Sequence, residues 1–140
     1  MQAFLPYPNF EQSAASLDRA RLGKQRGEVL QMVRALCGER KGYANHAATR
    51  MWRGHTNALV LYGLAICTEW KSRGYKDTCY EKILAYFDET QTQEMPFWFG
   101  DEALHASHRS NLLRKNLDFY SQYGWGEPDD LPYVWPVPLT

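Results

Sequence analysis

The 140-residue chain lacks any apolar run approaching the roughly 20 residues that span a bilayer, so no membrane association is expected. Its beginning, Met1-Gln2-Ala3-Phe4-Leu5-Pro6, has neither the basic nor the apolar stretch of a secretory signal. Cysteine is scarce. Cys37, Cys67 and Cys79 are odd in number and widely spaced, which argues against a disulfide frame or zinc site and for reduced, mostly buried thiols in a cytoplasmic protein. A phosphate-binding glycine loop is absent, as are Gly-x-Ser-x-Gly, His-Glu-x-x-His and Cys-x-x-Cys, and with them the common signatures of nucleotide, serine-hydrolase, zinc-peptidase and redox chemistry. No segment alternates like a strand, and there is no internal repeat, low-complexity tract or flexible linker.

What is present is a folded composition: 44% hydrophobic, 23% charged and 14% aromatic residues, enough for one core without staples. The expected fold is all-α: a compact single domain of three to four helices with an extended N-terminal segment and an irregular C-terminal tail. Pro6, Pro8 and Asn9 keep the first dozen residues extended. A first helix is expected from Ser13 to Cys37, stopped by Gly38. Residues 39–46 read as a basic loop. A second helix is expected from Ala48 to Arg73, because Met51, Trp52, Leu59, Tyr62, Ile66 and Trp70 largely keep the helical period and read as core. A third runs from Thr78 to Phe87, and a fourth from the N-cap Asp101 to Gln122. Between them, Phe97, Trp98 and Phe99 read as a core plug, with base stacking as the alternative.

Net charge is zero but unevenly placed. Residues 1–76 hold twelve Lys and Arg against five Asp and Glu, whereas residues 77–140 hold four against eleven. A basic half points to an anionic partner, of which nucleic acid is the commonest; mutual neutralisation of the two halves is the alternative. The first helix concentrates this charge. Asp18, Arg21, Gln25 and Glu28 share one face, with Arg19, Lys24 and Arg26 around them. Arginine forks suit phosphates, and Gly23 and Gly27 suggest close approach by another backbone or a ligand. The alternative is a solvated face with an Asp18–Arg21 ion pair. His105 and His108, spaced i, i+3 and followed by Arg109, read as phosphate contacts or helix packing; no third ligand accompanies them, so no metal and no cofactor is expected.

Three motifs occur in an order that resembles one family. They are Lys71-Ser72-Arg73-Gly74-Tyr75-Lys76-Asp77-Thr78, Met95-Pro96-Phe97-Trp98-Phe99-Gly100-Asp101 followed by His105, and Phe119-Tyr120-Ser121-Gln122-Tyr123-Gly124. The chain resembles the pyrimidine-dimer DNA glycosylases, or endonuclease V family, in a divergent bacterial or phage branch. That resemblance implies an all-α fold and a DNA N-glycosylase with possible abasic-site lyase activity. In the family an N-terminal α-amine attacks the sugar C1′, a Schiff base forms, and β-elimination nicks the strand. An arginine followed by a glutamate on the first helix assists.

Carried over, the resemblance makes the Met1 amine the nucleophile, and Gln2 blocks its removal. An α-amine ordinarily titrates near 7.7–8.0, so a useful fraction is neutral at pH 7. Arg21 matches the family arginine. Leu22 stands where the glutamate would be, and Asp18, one turn earlier, is the expected substitute in preference to Glu28. Lys24 is a second candidate nucleophile. Gln2, Arg19, Gln25, Arg26, Arg34, Lys41, His105, His108 and Arg109 are the expected DNA contacts. The expected partner is double-stranded DNA, and the expected state a monomer. The substrate is a damaged or modified pyrimidine; the other readings are a non-catalytic DNA-binding protein of the same fold and an enzyme acting on a free nucleotide.

Overall fold

The computed structural model describes residues 1–39 and 41–136, with Lys41 described by its backbone alone. Among these residues the fold is all-α, without strands. The helices are α1 (Phe10–Ser16), α2 (Arg19–Leu36), α3 (Lys41–Ala44), α4 (Ala47–Arg50), α5 (Thr56–Ser72), α6 (Tyr80–Leu84), α7 (Glu102–Lys115) and α8 (Leu117–Tyr120), with a 3-10 turn at Ser121–Tyr123. None is long and apolar enough to cross a membrane.

The helices are more numerous than expected because long-range partners interrupt them. The helix expected from Ser13 breaks at Leu17 and Asp18. Arg73, from the end of α5, donates to the carbonyls of Ala14, Ala15 and Leu17, at 2.8 Å for Leu17. The Tyr120 hydroxyl takes the Asp18 N–H at 3.0 Å. These partners satisfy the groups that a helix end leaves open. The second expected helix breaks at residues 51–55, where Gly54 adopts φ +81°, a conformation that favours glycine. The fourth starts at Asp101, whose carboxylate accepts the Ala103 N–H at 3.1 Å. It stops at Asn116, whose side chain caps α8 instead.

α2 packs along α5, and Leu22, Val29 and Val33 meet Leu59, Tyr62 and Ile66 in one cluster of buried residues. Trp52 and Trp98 lie perpendicular with centroids 4.9 Å apart, and the Trp98 indole donates to Met51 O at 2.8 Å. Of the expected aromatic plug, Trp98 is buried and Phe99 half-buried, but Phe97 is 81% exposed. All three cysteines are free. Cys67 is buried, whereas Cys37, at the open C-terminal end of α2, is exposed, contrary to the expectation of mostly buried thiols.

The extended N-terminal segment is a structural centrepiece. Gln2, Ala3, Phe4 and Leu5 are buried. α7 is accordingly polar on its buried side, because it serves backbone on two sides. His105, His108 and Arg109 serve the N-terminal segment; Ser107, Ser110 and Asn111 serve the tail, through Val134, Leu131 and Pro128. The tail has no regular structure over its described part, as expected, but is hydrogen-bonded to α7 rather than loosely laid on it.

Candidate active site

The N-terminal segment is held residue by residue. Gln25 Oε1 accepts the Phe4 N–H at 3.0 Å, and Gln25 Nε2 donates to Gln2 O at 2.7 Å. The Tyr62 hydroxyl donates to Phe4 O at 2.6 Å. His108 Nδ1 accepts the Leu5 N–H at 2.9 Å, so its proton sits on Nε2. His105 Nε2 accepts the Gly100 N–H at 3.0 Å, so its Nδ1 carries the proton and donates to Leu5 O at 2.7 Å. Burial pushes His105 down and His108 down to about 3, so both rings are neutral clamps. Arg109 donates to Pro6 O at 2.8 Å and pairs with Glu102 and Glu127.

These contacts deliver Met1 to a pocket of about 340 Å³, lined by Met1, Gln2, Phe4, Ala20, Arg21, Lys24, Glu28, Lys115 and Tyr133. The lining holds three cationic side chains and one carboxylate, and Met1 is among the residues that form it. Arg21, Lys24 and Glu28 project to one side because they follow one another at i, i+3 and i+7 on α2. Lys115 comes from the last turn of α7, and Tyr133 from the tail, where its ring meets His108 edge-on at 5.6 Å. The Gln2 carboxamide accepts the Ala3 N–H through Oε1, and its Nε2 has no hydrogen-bond partner among the described residues. His46, which N-caps α4 through Nδ1, is lowered by burial and then by the charge of the terminal amine, which places that amine within electrostatic reach. Its ring meets Trp135 edge-on at 6.4 Å.

Of the four expected catalytic residues, Met1, Arg21 and Lys24 share this pocket and Asp18 does not. Asp18 starts α2. Its carboxylate receives the Tyr120 hydroxyl and lies 3.3 Å from Arg21 Nη1, leaving its side chain 9% exposed. Burial, then the Asp18 contact, raises the Tyr120 phenol, so this pair is a structural joint between α2 and α8. The acid that lines the pocket is Glu28. Leu22 is fully buried and offers no position for one.

The expected DNA contacts divide similarly. Gln2 lines the pocket. Gln25, His105, His108 and Arg109, expected as DNA contacts, are buried and hydrogen-bonded to residues 2–6. Arg26 pairs with Asp77 at 2.8 Å, and Arg34 donates to the Tyr86 hydroxyl at 3.3 Å. Both therefore have protein partners away from the pocket. Arg19 is exposed on another face of α2. Lys41 opens α3, and its side chain lies outside the described residues. Lys115 and Tyr133 were not legible as site residues, because only tertiary packing brings them to α2. Glu28 had a signal, its i+4 spacing from Lys24.

A family model described as pyrimidine dimer DNA glycosylase matches residues 1–82. No curated protein matches the chain, and no solved structure does. The matched stretch carries the N-terminal segment, all of α2 and every α2 residue of the pocket, and it covers more than half of the 140 residues. The chain belongs to the pyrimidine dimer DNA glycosylase family, whose partner is DNA.

Proposed function

We propose that the pocket is the active site of a DNA glycosylase with abasic-site lyase activity, with the Met1 α-amine as nucleophile and Glu28 as its acid–base partner. The observation that carries this reading is the convergence of Met1, Arg21, Lys24 and Glu28 on one pocket. The neutral amine attacks the sugar C1′ as the bond from C1′ to the base breaks. Glu28 takes the proton that the amine sheds and passes it to the departing base. The nitrogen lone pair then forms the iminium as the C1′–O4′ bond opens and O4′ takes a proton from water. Water takes a C2′ proton, the electron pair left behind forms the C2′=C3′ bond as the C3′–O bond breaks and the 3′-phosphate leaves, and a second water hydrolyses the imine to free the Met1 amine. Arg21, Lys24 and Lys115 hold the phosphates on either side of the reacting sugar. A damaged or modified pyrimidine is the base that leaves, and removing it requires its nucleotide to turn out of the stack.

Borohydride reduction on a duplex with one abasic site tests the reading. The expected result is a covalent adduct whose peptide mass places the sugar on the Met1 nitrogen. It is lost when the N-terminus is acetylated. No adduct removes the lyase chemistry, and an adduct on Lys24 replaces Met1 as nucleophile. A panel of duplexes carrying dimers and modified pyrimidines identifies the base.

A further inference from the structure

The Lys71–Thr78 motif plays no part in the pocket, yet it builds a second cationic surface on the other flank of α2. Trp70 and Tyr75 lie with ring centroids 4.4 Å apart. The Arg26 guanidinium sits over Trp70 at 4.5 Å, and that of Arg19 over Tyr75 at 5.6 Å. Trp70 is fixed by its indole, which donates to Lys76 O at 3.0 Å, and by Gly23, where a Cβ would come within 2.9 Å of its ring.

The cations here differ in what they are free to do. Arg26 is spent on Asp77, and Arg73 on Glu69 and the carbonyls that end α1. Among the described residues, no carboxylate pairs with Arg19 or Lys76, and both are exposed. Stacking on Tyr75 restrains the Arg19 side chain while leaving its charge unneutralised.

At 100° per residue, Arg19, Gly23 and Arg26 face this aromatic wall, whereas Arg21, Lys24 and Glu28 face the pocket. Ala20, exposed, and Gly27, half-buried, lie on the crest between the two flanks. A Cβ at Gly27 meets nothing within 4 Å, so the crest is low as well as open.

We propose that α2 is a saddle for duplex DNA. The phosphate backbone that leaves the pocket crosses the Ala20–Gly27 crest and continues onto Arg19 and Lys76, which Tyr75 and Trp70 support. The inference rests on the pocket being the DNA site, and it adds a second contact that fixes the direction in which the duplex runs. The occupant is a nucleic-acid backbone because the surface offers two exposed, unneutralised cations, Arg19 held on the Tyr75 ring and Lys76 beside it in sequence.

Equilibrium binding to a duplex with a reduced abasic-site analogue, measured across salt concentration, tests it. Arg19→Ala and Lys76→Ala should each flatten the slope of log K against log salt by about 0.9. Gly27→Glu, an acid on the crest, should weaken binding at least as much as Arg19→Ala. Lys76→Ala and Gly27→Glu disturb no packed side chain, so they keep the test sound if Arg19→Ala loosens Tyr75. Unchanged slopes and unchanged binding by Gly27→Glu, with wild-type protein binding and forming the Met1 adduct, overturn the saddle alone. Failure of the wild-type protein to bind the duplex overturns the pocket reading as well.

Discussion

Gln25 treats Phe4 as one strand treats its neighbour: its carboxamide accepts the Phe4 N–H and donates to the carbonyl two residues earlier, at Gln2. A buried extended segment has no sheet to satisfy its backbone, and an unpaired buried peptide group costs about 1–3 kcal/mol. In this fold side chains replace the missing strand. Gln25 and Tyr62 serve residues 2–4, His105 and His108 serve Leu5, and Arg109 serves Pro6. The arrangement fixes the course of residues 2–6, which lead to Met1 at the pocket.

Gln25→Leu keeps the side-chain bulk but strands the Phe4 N–H and the Gln2 carbonyl. It should destabilise the fold by about 2–4 kcal/mol, read as a lowered urea midpoint. Under conditions where the variant remains folded, adduct formation on abasic-site DNA should fall as well, because the amine is no longer held in register with Glu28. Tyr62→Phe removes one donor to Phe4 and should show a smaller loss of the same kind, about 1 kcal/mol.

The histidine clamps make stability depend on acid. His108 is pushed from the ordinary 6.5 down to about 3, chiefly by burial, and His105 moves the same way. Between those limits the unfolded chain binds protons that the folded chain refuses. Stability fully present above pH 6.5 is therefore lost progressively as pH falls toward 3. One such group contributes up to about 1.4 kcal/mol per pH unit. Urea midpoints measured from neutral pH downward should show this decline. His108→Asn, which offers Leu5 an acceptor that does not titrate, should make it shallower.

The two glycines of α2 should respond differently to alanine. Gly27 has open space before it, so Gly27→Ala should stabilise by about 1 kcal/mol through helix propensity alone. Gly23→Ala gains the same term but drives a methyl to 2.9 Å from a Trp70 ring already held by Arg26, Tyr75 and Lys76. Overpacking of that kind costs about 1–3 kcal/mol, so Gly23→Ala should be neutral to destabilising. Denaturation midpoints of the two variants, measured side by side, decide it.

The helical class was legible because apolar spacing and the Asp101 cap are local signals. The charge-rich face of α2 was legible for the same reason, and it led to Arg21 and Lys24. The breaks were not: the second expected helix ran straight through Gly54. α1 ends because Arg73, far along the chain, reaches its carbonyls, and no local pattern records that. The hydrogen-bond partners of the α7 histidines, which were read as phosphate contacts or helix packing, were hidden for a related cause. A polar residue on a helix reads as exposed, and here the buried face is polar because it hydrogen-bonds two extended segments. Asp18 was preferred over Glu28 because it lies one turn before Leu22, where the family glutamate would stand, and no local pattern records the Tyr120 hydroxyl that its carboxylate receives.

Asp18 and Glu28 give the most discriminating pair of substitutions. Asp18 is a buried joint: it receives the Tyr120 hydroxyl, pairs with Arg21 and starts α2. Asp18→Asn keeps its shape and should cost about 1–3 kcal/mol of stability, because the charge-assisted bonds weaken. At a temperature where the variant is folded, adduct formation should persist. Glu28 is half-buried, lines the pocket and has no hydrogen-bond partner among the described residues, so Glu28→Gln should leave the urea midpoint nearly unmoved. It should slow single-turnover adduct formation by about 100-fold or more, the usual consequence of losing an acid–base group. The reverse pattern, with chemistry lost in Asp18→Asn and kept in Glu28→Gln, returns the catalytic role to Asp18 and removes Glu28 from the mechanism.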